Sequence, residues 1–291
     1  MRLQAALIMA ALFAAEAPAQ VARIFLSGTG NDANDCSNAA TPCRSLQGAI
    51  NQSPVSGEIM VMTSGGYGTA TINKSLVINA PDGVVAFNAR TITVSIATGD
   101  KVVIRGLSLN GSVFADPNGI DFTGSTGGTL VVENTVIAGF TQGINQAAAT
   151  LFVRNCEFRT NDYGILATGG DVTVENCRFE KNAYGVSVQN GAKGVVRDSV
   201  AVGFFSQGIA YDADETNGAS TTLIVDNCGA EDNQVGLNVH GPTAAIRATN
   251  STITNNFIGL GFSGGTITSY GTNQLWNNGT DGTFSSTIAQ Q

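Results

Sequence analysis

A short repeat constrains this chain more than any other feature. Leu130-Val131-Val132-Glu133-Asn134 recurs as Leu151-Phe152-Val153-Arg154-Asn155 and again as Val172-Thr173-Val174-Glu175-Asn176, a step of 21 residues each time. Asp198, Asn227 and Asn250 hold the same place in later turns. Nine residues after most of these positions comes a glycine followed by an aliphatic residue: Gly143-Ile144, Gly164-Ile165, Gly185-Val186, Gly236-Leu237 and Gly259-Leu260. Gly208-Ile209 comes one residue late, which predicts a one-residue insertion near Phe204-Phe205.

Within each unit the apolar residues alternate with polar ones, the period of a strand with one buried face. Val172 and Val174 are expected inward, with Thr173 and Glu175 outward; Cys177, Phe179, Val186 and Val188 continue the inward set. One unit therefore holds three short strands separated by bends. Such a unit cannot bury its apolar face alone, but stacked units form one continuous core. The composition agrees: 36 glycines, only 6 prolines and 43% hydrophobic residues favour short strands and tight turns over helices or disorder.

The stacked register gives the polar residues structural roles. Asn134, Asn155, Asn176, Asp198, Asn227 and Asn250 form a column whose side chains are expected to hydrogen-bond from turn to turn. A second column stands six residues on, at Asn161, Asn182, Asn233 and Asn256. The residue before the first column reads Glu133, Arg154, Glu175, Arg197, Asp226, so charges alternate in sign along the stack, which favours neighbouring-strand pairing.

The ends differ from the repeat. Arg2, the apolar run from Leu3 to Ala15 and Ala17-Pro18-Ala19 have the order of a secretory signal peptide, with cleavage expected after Ala19. The chain then divides into a leader (1–19), an N-terminal segment and cap (20–57) and a β-helix (58–291), and its expected location is secreted or periplasmic. Residues 44–52 are expected to form a short capping helix, and Trp276 and Phe284 to close the other end. Export makes a Cys36–Cys43 disulfide the expected pairing. Cys156 and Cys177, one turn apart, stand within disulfide range of each other, while Cys228 is too far to pair with Cys177; all three are expected to be free, buried fillers. A formal net charge of -8 with only 14 Lys and Arg argues against a nucleic-acid partner. No segment after the leader is apolar enough to insert in a membrane.

Several segments carry a resemblance. They are Cys43-Arg-Ser-Leu-Gln-Gly-Ala-Ile50, Gly57-Glu-Ile-Met-Val61, Gly65-Gly-Tyr-Gly68, Ile72-Asn-Lys-Ser-Leu-Val-Ile78, the Asn-Cys-x-Phe repeats and Asn277-Asn-Gly-Thr-Asp-Gly-Thr-Phe284. With them the chain resembles the pectin-lyase-like superfamily, and most of all its uncharacterised bacterial repeat proteins. The resemblance implies an all-β, single-stranded right-handed parallel β-helix, with about 21 residues per turn on the spacing above and a short N-terminal capping helix. It also implies a polysaccharide partner, bound or modified, by lyase or glycoside-hydrolase chemistry if the protein is an enzyme. The superfamily's catalytic signatures are not intact: Asn134-Thr135 is followed by Val136, there is no Asp-Asp pair, His240 sits in Val-His-Gly, and neither R-x-P-x-x-R nor D-P-H occurs. The competing expectation is therefore a non-catalytic envelope, structural or adhesion module.

Function on a solenoid is expected where insertions break the repeat. One insertion surrounds Ala115-Asp116-Pro117-Asn118, and the other is Tyr211-Asp-Ala-Asp-Glu-Thr-Asn-Gly218. Asp212, Asp214 and Glu215 lie within four residues and are candidate oxygen ligands for calcium, although their spacing departs from the EF-hand loop. Asp214 and His240, the single histidine, are the candidate catalytic residues. Tyr163, Tyr184 and Tyr211 are the candidate substrate-binding residues.

Overall fold

A computed structural model describes residues 22–203 and 208–289. The predicted leader and the insertion predicted near Phe204-Phe205 lie outside the described residues. The remaining chain is a parallel β-solenoid of about nine turns, averaging about 23 residues per turn. Its strands form three sheets, a long one of 12 strands, a second of 10 and a third of 9. A representative turn runs through Asp171–Glu175 in the long sheet, Arg178–Glu180 in the second and Tyr184–Gln189 in the third.

The period of 21 belongs to the middle of the stack. Val132, Val153 and Val174 align at that step, whereas Ile59 aligns with Ile78, Ile78 with Ile104 and Ile104 with Val132. Val196 and Val225, 29 residues apart, flank the longest turn of this series. Extra residues go into the bends, because adding them inside a strand would turn its apolar face outward.

The two asparagine columns divide their labour. The first column is exposed, and its six residues all have φ between 49° and 52°. Asn and Asp tolerate this left-handed conformation, so the column exists mainly to make the bend between the long and second sheets. Side-chain bonds run along it, from Asn155 Nδ2 to Asn134 Oδ1 (3.3 Å) and from Asn176 Nδ2 to Asn155 Oδ1 (2.7 Å). The second column is buried. Asn182 Oδ1 accepts from the Asn161 main-chain N–H (2.9 Å) and side-chain amide (3.0 Å), while Asn182 Nδ2 donates to Phe158 O (3.0 Å). Asn233 and Asn256 repeat the pattern, and Asn278 continues it.

The glycine column marks a close approach of turns. A Cβ on Gly164 would lie 2.6 Å from Gly185 O and 2.8 Å from the Phe179 ring. Alongside, Phe158 and Phe179 stack with centroids 4.9 Å apart. In the next turns Ala201 and Ala230 take the place of these rings. The register there corrects the sequence expectation: Tyr184 pairs with Ile209 and Val186 with Tyr211, so the glycine slot is filled by Ala210 and not by Gly208. Tyr211 consequently enters the core. It is fully buried, and its hydroxyl donates toward Ser199 O (3.3 Å) and Gly229 O (3.2 Å). Its bulk occupies the interior beside the two alanines, and it offers no surface to a substrate.

The first end is capped by a helix, Leu46–Gln52, with Leu46, Ala49 and Ile50 buried. Ser45 caps it by accepting from Gly48 N (3.0 Å), and Asp32 holds the entry by accepting from the Arg44 and Ser45 N–H groups. Cys36 and Cys43 are joined in a disulfide with Cα atoms 5.2 Å apart. The sheet starts earlier than residue 58: Arg23–Leu26 is already its first strand, in register with Gly57–Val61. At the other end Phe284 packs against the core, but Trp276 is 55% exposed. Leu275 takes the inward position opposite Ile253, so its neighbour Trp276 must face out.

Two substitutions separate the asparagine columns. Asn182→Ala strands two buried donors and one buried carbonyl and is expected to cost about 2–4 kcal/mol. Asn176→Gly keeps the left-handed bend and is expected to cost less than about 1 kcal/mol. Chemical denaturation of the two variants measures the difference, and equal losses would refute this division. Tyr211→Ala opens a core cavity and is expected to cost about 3–5 kcal/mol, against a minor loss for Tyr211→Phe.

Candidate functional site

The outward residues of the third sheet bring together most of the candidate chemistry. Ser187, Asp212 and Asn238 stand in register on three successive strands, and Gln189, Asp214, His240 and Ser263 form the next column. Residues two apart on a strand share a face, so the columns lie side by side.

Asp212 is a carboxyl buried to 3% exposure. Oδ2 accepts from Ser187 Oγ (2.8 Å) and Oδ1 from Asn238 Nδ2 (2.8 Å), while Gln189 Nε2 donates to Ser187 Oγ (3.1 Å). Burial outweighs these bonds and raises its pKa to about 6. His240 Nδ1 lies 2.7 Å from Asp214 Oδ1, with side-chain exposures of 50% and 27%. Unlike Asp212, this pair is open to a ligand. With Nδ1 engaged by the carboxylate, Nε2 is the ring atom left to exchange a proton.

Tyr163 and Tyr184 stack with centroids 4.5 Å apart and ring planes 8° apart. Each covers one face of the other, so the pair presents edges and hydroxyls rather than a broad sugar-stacking platform. Burial raises both phenol pKa values, and the charges of Asp212 and Asp214 add to the effect.

The three carboxylates considered for calcium do not converge. Asp212 faces Ser187 and Asn238, Asp214 faces His240, and Glu215 turns back to accept from the Gly218 N–H, which holds its pKa below the usual range. Among the described residues, no three His, Cys, Asp or Glu side chains form a group able to hold a metal ion. The first insertion is tied down: Asp116 accepts from Arg90 (2.9 Å) and from Thr91 N (3.0 Å), and the Arg90 guanidinium lies 3.9 Å above the Phe114 ring. A groove of about 550 Å³ runs along the exposed asparagine column, past Asn155, Asn176, Arg178 and Asp198. Glu157 and Asp198 also line it, but no histidine does, so the third sheet, which holds the His240–Asp214 pair, is the better candidate.

Asp212, Asp214, His240 and the two tyrosines are named by the sequence reading, whereas Ser187, Gln189 and Asn238 are not. Ser187 and Asn238 are partners of Asp212 at separations of 25 and 26 residues, visible only once the register across the irregular turn is known, and Gln189 joins them through Ser187.

A model of the right-handed β-helix region matches residues 57–220 and 118–287, overlapping stretches that span most of the chain. The chain belongs to the right-handed β-helix family. Two solved structures share this fold. A structure described as XylC in complex with xylose superposes on the β-helix with a TM-score of 0.59 at 8% identity, covering 85% of this chain and 68% of the other. The pectate lyase Pel9A gives 0.57 at 16% identity, covering 93% and 79%. At such identities the likeness concerns architecture alone. No curated protein matches the β-helix by sequence.

Asp212 makes the stability of this β-helix depend on pH. Its folded pKa, about 6, lies above the ordinary carboxylate value of 3.8, so the folded state binds the proton more tightly. Stability is therefore highest below about pH 4, falls as pH rises to about 6, and then levels off, a loss of roughly 2–3 kcal/mol from this group. Asp212→Asn is expected to remove this contribution and to raise the unfolding midpoint at pH 7. Thermal melts at pH 5 and 7 test it; an unchanged difference between the two pH values in the variant would sink the assignment.

Proposed function

We propose that this β-helix is an exported protein that binds an extracellular polysaccharide along the outer face of its third sheet. The reading is carried by the exposed His240–Asp214 pair, with the Tyr163–Tyr184 stack at the start of strands in the same sheet. A solenoid face is long and nearly flat, which suits an extended polymer. Hydroxyl, amide and carboxylate groups at fixed 4.8 Å steps can each meet successive sugar hydroxyls. The fold neighbours support the same partner, since one is a pectate lyase and the other was solved with xylose.

Any modification of the polymer would run through His240. Asp214 orients its ring, and Nε2 would take or return a proton at a sugar hydroxyl or ring carbon. Asp212 is too buried to touch the polymer. It positions Ser187 and Asn238, and so the strands that carry the pair. A second reading, a non-catalytic structural or adhesion module, is favoured by the long sheet. There Arg105 and Arg154 both bind Glu133, at 2.7 and 2.8 Å, so charge is spent on holding turns together.

A panel of neutral and acidic polysaccharides tests both. Binding is expected to weaken about tenfold or more in Tyr163→Ala/Tyr184→Ala, with the fold intact. New reducing ends or unsaturated products that vanish in His240→Ala would establish catalysis; binding without turnover would leave a lectin-like module. Failure to bind any glycan on the panel would overturn the polysaccharide reading.

A further inference from the structure

The outer face of the long sheet carries a pattern that the stacking of one chain leaves unexplained. Its outward middle column reads Val103, Val131, Phe152, Thr173, Val195 and Ile224 on successive turns. Outward positions of a solvated sheet are ordinarily polar, yet five of these six are aliphatic or aromatic. Phe152, in the middle of the run, is 38% exposed. Two residues along each strand stands a charged column, Arg105, Glu133, Arg154, Glu175, Arg197 and Asp226. Alternation within this column is accounted for by neighbouring turns of one chain. The apolar column beside it is not: Val131 is buried, but Val103, Val195 and Ile224 are only half-buried and Phe152 stands open, which stabilises nothing in a single copy.

We propose that two copies of this chain pair back to back through this face, about a twofold axis that runs along the strands between Phe152 and Thr173. Such an axis reverses the order of turns and keeps each column opposite itself, which is the geometry of an isologous interface. In the apolar column Phe152 then meets Thr173 of the second copy, Val131 meets Val195, and Val103 meets Ile224. In the charged column the reversal sets Arg105 against Asp226, Glu133 against Arg197 and Arg154 against Glu175. Every facing pair is opposite in sign, because an even run of alternating charges is complementary to its own reverse. The outward column on the other side, from Lys101 through Asp171 and Lys193 to Thr222, reverses without placing like charges together.

The dimensions suffice. Eight strands, from that of Val77 to that of Arg247, at about 4.8 Å spacing and about 16 Å length give roughly 550 Å² of flat face per copy before side-chain relief is added. Specific interfaces begin near 1,200 Å² in total, about 600 Å² a side. The pairing leaves the third sheet uncovered, so it is compatible with a ligand there but independent of it.

Sedimentation of the full mature chain tests the pairing. Wild type is expected to be dimeric in the micromolar range and to dissociate as salt is raised. Phe152→Glu places a carboxylate at the centre of the interface and is expected to give a monomer with unchanged secondary structure. Glu133→Arg sets two Arg–Arg contacts across the axis and is expected to weaken the dimer about tenfold or more. The decisive variant adds Arg197→Glu to Glu133→Arg. Within one chain it worsens both neighbourhoods, but across the axis it restores opposite charges, so recovery of the dimer is expected. A monomer at about 100 µM, or a dimer indifferent to Phe152→Glu and Glu133→Arg, would overturn the proposal, as would a double variant no better than Glu133→Arg alone.

Discussion

The whole molecule depends on main-chain hydrogen bonding between turns. Each turn gives its N–H and C=O groups to the turns above and below, and three sheets arise because the chain bends three times per turn, where that pairing cannot continue smoothly. A bend in a buried wall is costly, since unpaired main-chain groups there have no water to turn to. The residues at the bends are therefore the most specified in the chain, more so than the aliphatic residues between them.

Two columns satisfy the bends from inside. One is the buried asparagine series, whose amides bind the main chain of one turn and the side chain of the next. The other follows the left-handed residues and reads Thr135, Cys156, Cys177, Ser199, Cys228 and Ser251. Each donates to the carbonyl two residues back: Ser199 Oγ to Arg197 O (2.7 Å), Cys177 Sγ to Glu175 O (3.3 Å), Cys228 Sγ to Asp226 O (3.2 Å). Three of them also accept from the turn before: Cys156 N reaches Cys177 Sγ (3.5 Å), Cys177 N reaches Ser199 Oγ (3.0 Å) and Cys228 N reaches Ser251 Oγ (3.1 Å). The three cysteines are free and buried, as expected although Cys156 and Cys177 stand one turn apart, but they act as weak hydroxyl equivalents and not merely as apolar filler. Burial pushes the Cys156 thiol up and that of Cys228 to about 11, so they remain protonated donors.

What could be foreseen follows from this hierarchy. The period, the inward set, the glycine column and the helical cap are local patterns, and they were legible because each is set by the main-chain pairing that repeats. The place of Tyr211 was not legible. Gly208-Ile209 mimics the glycine motif, and only the small residues at Ala201 and Ala230, on a different sheet, reveal the volume that draws the tyrosine inward. Trp276 misled for a similar reason: its size suggested a plug, while the strand alternation set by Leu275 decided its direction. The Ser187–Asp212–Asn238 chain depends on the same register, so the error at Tyr211 concealed it too.

The irregular turn explains why chemistry collects on one face. Along the long sheet the charges neutralise one another from turn to turn, Glu175 toward Arg197 as well as Glu133 toward both its neighbours. On the third sheet the long turn delivers Asp212 and Asp214 to a face with no Lys or Arg in register beside them. Asp212 answers by being buried, hydrogen-bonded and raised in pKa; Asp214 answers by taking the chain's single histidine. A solenoid tolerates such a departure because each turn contacts only its neighbours, so strain in one turn need not spread through the stack. The third sheet is thus free to hold carboxylates that no neighbouring Lys or Arg neutralises, while the paired charges of the long sheet hold its turns together.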